Sequence, residues 1–272
     1  MKIASLQPSV SIILDRLGCL DALTACTRYC VAAVPALRER PVTVVKDSWS
    51  TTPQELLAVR PDLVIASVPY RNESLAAILK AGCPVLALAP HSLADIEQDI
   101  RLIAAVSGAA PDPLIAEMRE EIEQIRRQAA TFPDKPLVYC EEWGKPLIHS
   151  QLWVQELVEA AGGVFLGEPD KATTAQAMVA ASPDVVIAAW CGAGDRVPLP
   201  KLAARPGWSG MRAVREGRVY CIADELLNTP APTLVGGLRA LAAALHGDAF
   251  GTPEGLRRIQ PGMGIEPALP RV

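Results

Sequence analysis

Aromatic side chains are scarce in this chain: 4% of the residues, as five tryptophans, four tyrosines and three phenylalanines. Paired cysteines are missing. Cys19, Cys26, Cys30, Cys83, Cys140, Cys191 and Cys221 are odd in number, dispersed and without C-x-x-C spacing, which excludes a disulfide framework and a structural zinc site. Their apolar surroundings suit small hydrophobes and favour a reducing compartment. The three histidines, His91, His149 and His246, lie too far apart to form a histidine–carboxylate metal cluster. No run approaches the ~18 apolar residues of a membrane span. Basic tracts are absent too: 26 Lys and Arg against 30 Asp and Glu give a net charge of −4, which excludes a nucleic-acid partner. Dinucleotide, P-loop, nucleophile-elbow and H-E-x-x-H motifs do not occur. The adjacent Glu141 and Glu142 point to opposite faces of a strand and do not form a carboxylate pair. No nucleophile–base–orienter set can be assembled, so the chain reads as a protein that is not an enzyme.

What is present is a statement made twice. Val59-Arg60-Pro61-Asp62-Leu63-Val64-Ile65-Ala66 closes a helix and opens a strand, and Ala181-Ser182-Pro183-Asp184-Val185-Val186-Ile187-Ala188 does so again. Each proline stops its helix, because it lacks an N–H and disfavours αR in the residue before it. The apolar run that follows suits a strand buried on both faces of a parallel sheet. Two such units within 272 residues, half of them hydrophobic, predict two α/β lobes with a cleft between them as the place for function.

Strands are predicted over 3–6, 42–45, 63–66 and 84–88, alternating with helices over 9–18, 53–59, 72–81 and 92–107. Thr52-Pro53-Gln54-Glu55 predicts a capping box, and Ser92 with Asp95 is a second helix-start signal. Leu114, Met118, Ile122 and Ile125 recur at helical spacing on an otherwise charged stretch, with Glu123 four residues before Arg127. About twenty residues at ~1.5 Å each make a rod of roughly 30 Å, expected to connect the lobes. The second lobe is expected to carry strands over 136–140, 164–166, 185–189 and 218–222, and helices over 152–161, 173–180, 209–215 and 232–246. The predicted layout is an N-terminal α/β lobe over 1–110, a connecting helix over 111–132, a C-terminal α/β lobe over 133–246 and an irregular tail over 247–272.

The few large aromatics sit where strands give way to helices. Tyr29 lies in the first long connection, Trp49 precedes the helix at 53, Trp143 follows strand 136–140, and Trp190 ends strand 185–189. Ligands of open parallel sheets bind beyond the carboxyl ends of the strands. Flat rings placed there predict a broad, flat, largely apolar ligand.

At this point the chain resembles a known family. Ile3-Ala4-Ser5-Leu6-Gln7-Pro8-Ser9 with Leu17-Gly18, then Thr27-Arg28-Tyr29-Cys30, Leu56-Leu57-Ala58-Val59-Arg60-Pro61-Asp62, Glu142-Trp143, Trp153-Val154-Gln155-Glu156-Leu157-Val158-Glu159-Ala160-Ala161-Gly162-Gly163, Pro206-Gly207-Trp208 and Pro230-Ala231-Pro232-Thr233-Leu234 are similar, in that order, to the class III substrate-binding proteins of ABC importers. Within that group the chain resembles the cobalamin (vitamin B12) branch of the ferric-siderophore/B12 periplasmic-binding family. The resemblance implies an α/β fold of two lobes with mainly parallel sheets joined by one long backbone helix. It implies non-catalytic binding of cobalamin or a related corrinoid, as ligand and not as resident cofactor, in the inter-lobe cleft. By the same match Tyr29 and Trp49 are first-lobe ligand contacts, and Trp143, His149, Trp190 and Asp224 are second-lobe contacts, with His149 also placed to offer a nitrogen to cobalt. An ABC permease is the implied partner, reached in the family through one glutamate on each lobe. Here those positions carry Gln54, next to Glu55, and Ser209 with Gly210, and Ser67 stands where some B12 binders have an aromatic. The chain as given opens without a signal peptide, so the expected place is the periplasm if a leader has been removed and the cytoplasm otherwise. Two alternatives stand beside this reading: a siderophore or haem receptor of the same fold, with Arg28 and Arg71 turned inward, and a corrinoid-handling enzyme or sensor using Cys191 or Cys30.

Overall fold

A computed structural model describes residues 1–260. The chain divides into two compact units, one of residues 1–120 with 229–233, the other of residues 121–228 with those from 234 on.

The first unit is built from β1 (Ile3–Ser5), α1 (Pro8–Arg16), β2 (Leu23–Thr27), α2 (Arg28–Ala33), β3 (Thr43–Val45), α3 (Pro53–Val59), β4 (Leu63–Ser67), α4 (Asn72–Lys80), β5 (Val85–Leu88) and α5 (Leu93–Ser107). Among the described residues its sheet has five strands in the order β3-β2-β1-β4-β5, all parallel. A parallel pair needs a crossover long enough to return, and here helices fill that role. Ala4, Leu6, Ala25, Val64, Ala66 and Leu56 pack into a core under the sheet.

α6 (Asp112–Ala129) follows, and the division between the units falls inside it, between Glu120 and Glu121. Leu114, Met118 and Ile125 are buried on its apolar stripe. The second unit continues with β6 (Leu137–Gly144), β7 (Leu147–His149), α7 (Leu152–Ala160), β8 (Val164–Phe165), β9 (Ala172–Thr173), α8 (Ala175–Ala181), β10 (Val185–Ala188), α9 (Leu199–Ala203), α10 (Arg212–Arg215), β11 (Val219–Ile222), α11 (Leu234–His246) and β12 (Leu256–Arg258). Its sheet runs β12-β11-β10-β6-β7-β9, with β8 beside the start of β6. β6, β8, β10 and β11 run parallel; β7 pairs antiparallel with β6, β9 antiparallel with β7, and β12 antiparallel with β11.

Several elements differ from the sequence reading. β2 and α2 occupy what reads as a connection, because Leu-Thr-Ala-Cys-Thr is short and lacks a bulky apolar run, although four of its five residues are buried. Tyr29 therefore stands in the first turn of α2. The capping box at α3 does not form: Thr52 makes no side-chain cap, and Glu55 turns instead to the Lys46 ammonium at 3.0 Å and the Lys46 N–H at 3.3 Å. The one at α5 does form, with Ser92 and Asp95 each bonding the other's backbone. The helix expected over 209–215 is broken at Met211, which is extended between a 3₁₀ turn at Trp208–Gly210 and α10. That break lets both Trp208 and Met211 enter the core, where they are 0% and 1% exposed. Part of the expected irregular tail is ordered, since β12 pairs with β11; residues 261–272 of that tail lie outside the described residues.

Candidate functional site

In the first unit the order of strands reverses between β1 and β4, the switch point beyond which open parallel sheets commonly bind ligands. Gln7, leaving β1, donates from its amide to Ser48 Oγ at 2.8 Å and to the Pro69 carbonyl at 2.7 Å, and Ser48 Oγ donates to that same carbonyl at 3.0 Å. The loops after β1, β3 and β4 are thereby tied together. Asp47 then folds the 47–51 turn by accepting from the N–H groups of Trp49 and Ser50. This turn presents Trp49 half-exposed, at 50%. Tyr29 is also half-exposed, and Arg28 donates to its phenolic oxygen at 2.7 Å. A cavity of about 880 Å³ beside β3 brings Tyr29 together with Arg28, Lys46 and Asp47, and Trp49 is not among the residues lining it.

The second unit presents a groove of about 620 Å³ at the carboxyl ends of β6 and β10. Trp143, from the end of β6, and Trp190, just past β10, both line it, with Pro198 and Leu202 as further apolar wall. Trp190 is fixed from below. Its indole N–H donates to Glu141 Oε1 at 2.8 Å, and Glu141 is fully buried. The same carboxylate accepts from the Tyr139 hydroxyl at 2.9 Å and from both Arg205 guanidinium nitrogens. Burial, together with the Glu141 charge, pushes the Tyr139 phenol well above its ordinary range, so it stays a donor. Arg205 also lies over the Trp208 ring, 4.7 Å from its centroid. Gly144 completes the seat: a Cβ there would stand 2.8 Å from Trp190 Cζ2, so the indole crosses the backbone where only glycine leaves room.

Two of the other residues expected at the site are engaged elsewhere. Asp224 accepts the N–H groups of Gly192 and Gly194 at 2.7 and 2.6 Å, so its carboxylate shapes the loop after Trp190. His149 is 3% exposed, edge-on to Tyr139 and against Gly167, and does not line the groove. Burial holds its imidazole below the usual histidine range, hence neutral, and its Nδ1 has no partner among the described residues. Enclosed in this way, its ring is not available to a ligand in the groove. Cys30 is 0% exposed in the first core, out of reach of any ligand. Cys191 does line the groove, with its sulfur 3.5 Å from Glu142 Oε1 and 3.4 Å from Asn228 Nδ2. Although the residue as a whole is exposed, desolvation of its sulfur and the Glu142 carboxylate push its thiol up to about 12. Glu141 and Glu142 have separate partners, as opposite faces of one strand require. Among the described residues no group of three or more histidine, cysteine, aspartate or glutamate side chains could hold a metal ion, and no helix is long and apolar enough to cross a membrane.

Sequence reasoning did not find Arg205 or Lys201, both of which line the groove. Gly144 and Lys145, which line it too, lie in the stretch from Trp143 to His149 that the resemblance marks on the second-lobe side. Arg205 meets Glu141 across 64 residues of chain, which no local pattern encodes.

The family profile described as periplasmic binding protein matches residues 3–226. An uncharacterized ABC transporter substrate-binding lipoprotein of Bacillus subtilis is 24% identical over 92% of this chain and 81% of its own length. A cobalamin-binding protein of Halobacterium salinarum is 25% identical over 90% of this chain and 69% of its own. Among solved structures, a periplasmic haem-binding protein of Pseudomonas aeruginosa superimposes with a TM-score of 0.82, covering 97% of this chain and 99% of its own at 22% identity.

Proposed function

The chain belongs to the periplasmic binding protein family, and from that premise we propose that it binds cobalamin or a related corrinoid without chemical change, as the solute receptor of an ABC importer or as a corrinoid carrier. Solute binding is the activity common to the family's substrate-binding relatives; the identity of the solute is the proposal. One observation carries it. Two indoles, Trp143 and Trp190, line a single groove of about 620 Å³ in the second unit, and one of them is anchored by a buried carboxylate. Rings held in this way offer flat apolar faces at small cost in side-chain entropy, and well-stacked aromatic contacts contribute about 0.5–1.5 kcal/mol each beyond area burial. In this reading Trp143 and Trp190 are the second unit's contacts, and Tyr29 and Trp49 are those of the first. Asp224 shapes the loop beneath, and His149 takes no part. The 25%-identical cobalamin-binding relative supports the choice of corrinoid.

Titration of the full chain with cyanocobalamin, read by tryptophan quenching and by the visible spectrum, tests the proposal. Saturable binding at micromolar concentration supports it, and its absence at that concentration rejects it.

A second reading, a haem receptor, is favoured by the Arg28–Tyr29 pair. A phenolic oxygen held by a guanidinium at 2.7 Å is a hard oxygen donor of the type that ligates haem iron. Haemin binding that shifts the Soret band and is lost in Tyr29→Phe would select it.

A further inference from the structure

The groove of the second unit is one-signed. The chain as a whole carries four more acidic than basic charges, yet Lys145, Lys201 and Arg205 all line this groove and no carboxylate does among the described residues. Arg205 is neutralised by Glu141 beneath it, with its two nitrogens at 2.6 and 2.8 Å from the two carboxylate oxygens. Lys145 and Lys201 are not neutralised: both are exposed, and neither forms an ion pair among the described residues. They come from different elements, Lys145 from the turn between β6 and β7 and Lys201 from α9, so their meeting at the same groove is a product of the fold. Trp143, Trp190, Pro198 and Leu202 supply apolar lining to the same groove. Cations set in low-dielectric walls concentrate their field in the opening.

We infer that this groove takes a flat macrocycle bearing an acidic group at its rim, a phosphate or a carboxylate, and that Lys145 and Lys201 bind that group while the indoles take the ring. The inference rests on the macrocycle reading above and adds the ligand's charge to it. A wholly neutral ring would leave both ammonium groups without a counter-charge beside an apolar surface. An acidic rim gives the lysines a partner and biases the orientation of the ring in the groove.

Three probes separate the outcomes: cyanocobalamin, whose nucleotide loop carries a phosphodiester; dicyanocobinamide, the same corrin without that loop; and haemin, whose rim carries two carboxylates. Each is titrated into the full chain and into Lys145→Gln, Lys201→Gln and the double variant, at low and high salt. Both lysines are exposed, so unchanged thermal unfolding of the variants is expected and confirms that they fold. The acid-bearing probe bound by the parent chain should weaken about fivefold for each lysine removed, and should weaken with salt. Dicyanocobinamide should respond to neither change. Loss confined to cyanocobalamin assigns the group as phosphate, and loss confined to haemin assigns it as carboxylate. A double variant that binds the acid-bearing probe as tightly as the parent overturns the inference, and so does a parent that prefers dicyanocobinamide. The corrinoid proposal fails separately, if the parent binds haemin but not cyanocobalamin while the lysine dependence persists. A parent that binds none of the three overturns both.

Discussion

Arg205 grips Glu141 with both arms of its guanidinium, Nη1 to Oε2 at 2.6 Å and Nη2 to Oε1 at 2.8 Å, across 64 residues of chain. Glu141 is fully enclosed and the Arg205 side chain is 16% exposed. An ion pair so far from water is weak evidence of net stabilisation, because desolvating both charges offsets most of their attraction. Its effect is geometric. Every polar bond that fixes the Trp190 indole ends on this carboxylate, so the pair sets the floor of the groove.

Removing one partner is therefore far worse than never having had the pair. Arg205→Ala leaves a buried carboxylate facing Tyr139 and Trp190 alone, and a loss of about 3–5 kcal/mol in urea unfolding is expected. Arg205→Lys restores the charge but not the fork, so it should recover part of the stability and less of the ligand affinity. Equal losses of stability for the two variants would show that the bidentate geometry is irrelevant.

Gly144→Ala separates the seat of Trp190 from the stability of the fold. The added methyl would stand 2.8 Å from Trp190 Cζ2 and 3.1 Å from an Arg205 nitrogen. Trp190 cannot swing aside without breaking its bond to Glu141. Overpacking of this kind costs roughly 1–3 kcal/mol. Here it falls on a ring at the open end of the groove, so ligand affinity should drop more than unfolding free energy, with tryptophan emission shifted. Intact affinity in this variant would mean the observed pose of Trp190 is unnecessary for binding.

The first unit offers a pH test. Burial, with the Asp95 charge nearby, pushes the Asp99 carboxyl up to about 7, while hydrogen bonds from the His91 backbone and from the Ser92 side chain and backbone pull Asp95 down. A carboxyl raised on folding holds its proton longer in the native state than in the unfolded chain. Its contribution is thus fully present below the ordinary value near 3.8 and is lost as pH rises through about 7. Asp99→Asn mimics the protonated form. It should raise the melting temperature at both pH 5 and pH 8, and clearly more at pH 8 than at pH 5. An equal effect at both values would show that Asp99 titrates normally.

The duplicated motif shows what was legible in the sequence. Asp62 accepts the Lys2 N–H at 2.7 Å and returns its own N–H to the Lys2 carbonyl, and Asp184 makes the same exchange with Leu137, whose N–H it accepts at 2.8 Å. Arg60 and Ser182 end their helices in left-handed geometry, at φ 51° and 43°. Proline, aspartate and the strand that follows are neighbours in the chain, so the local rules sufficed. β2 is hard to read because three of its five residues, Thr24, Ala25 and Thr27, give no bulky apolar pattern, although the strand is interior to its sheet. The groove was legible chiefly in its aromatics. Trp143 and Trp190 announce themselves by rarity, whereas Arg205, Gly144 and Lys201 matter through contacts made after folding. His149 is the converse case: its position in the loop was readable, but not its inward turn against Tyr139.

Cys191 decides between binder and enzyme. It lines the groove, so a reactive thiol there would be the natural nucleophile of a corrinoid-handling enzyme. Thiolates form readily beside cations or at helix N-termini. Cys191 has the opposite setting: burial of the sulfur and the Glu142 carboxylate push its thiol up to about 12, and only the Asn228 amide opposes them. At pH 8 the sulfur is almost wholly protonated, and iodoacetamide should modify Cys191 more slowly than it modifies a free cysteine. Glu142→Gln removes the opposing charge and should speed modification by roughly tenfold, the effect of about one pKa unit. Bound ligand should slow it further, by covering the groove. Rapid alkylation of the parent chain at neutral pH would instead mark Cys191 as an activated nucleophile and overturn the non-catalytic reading.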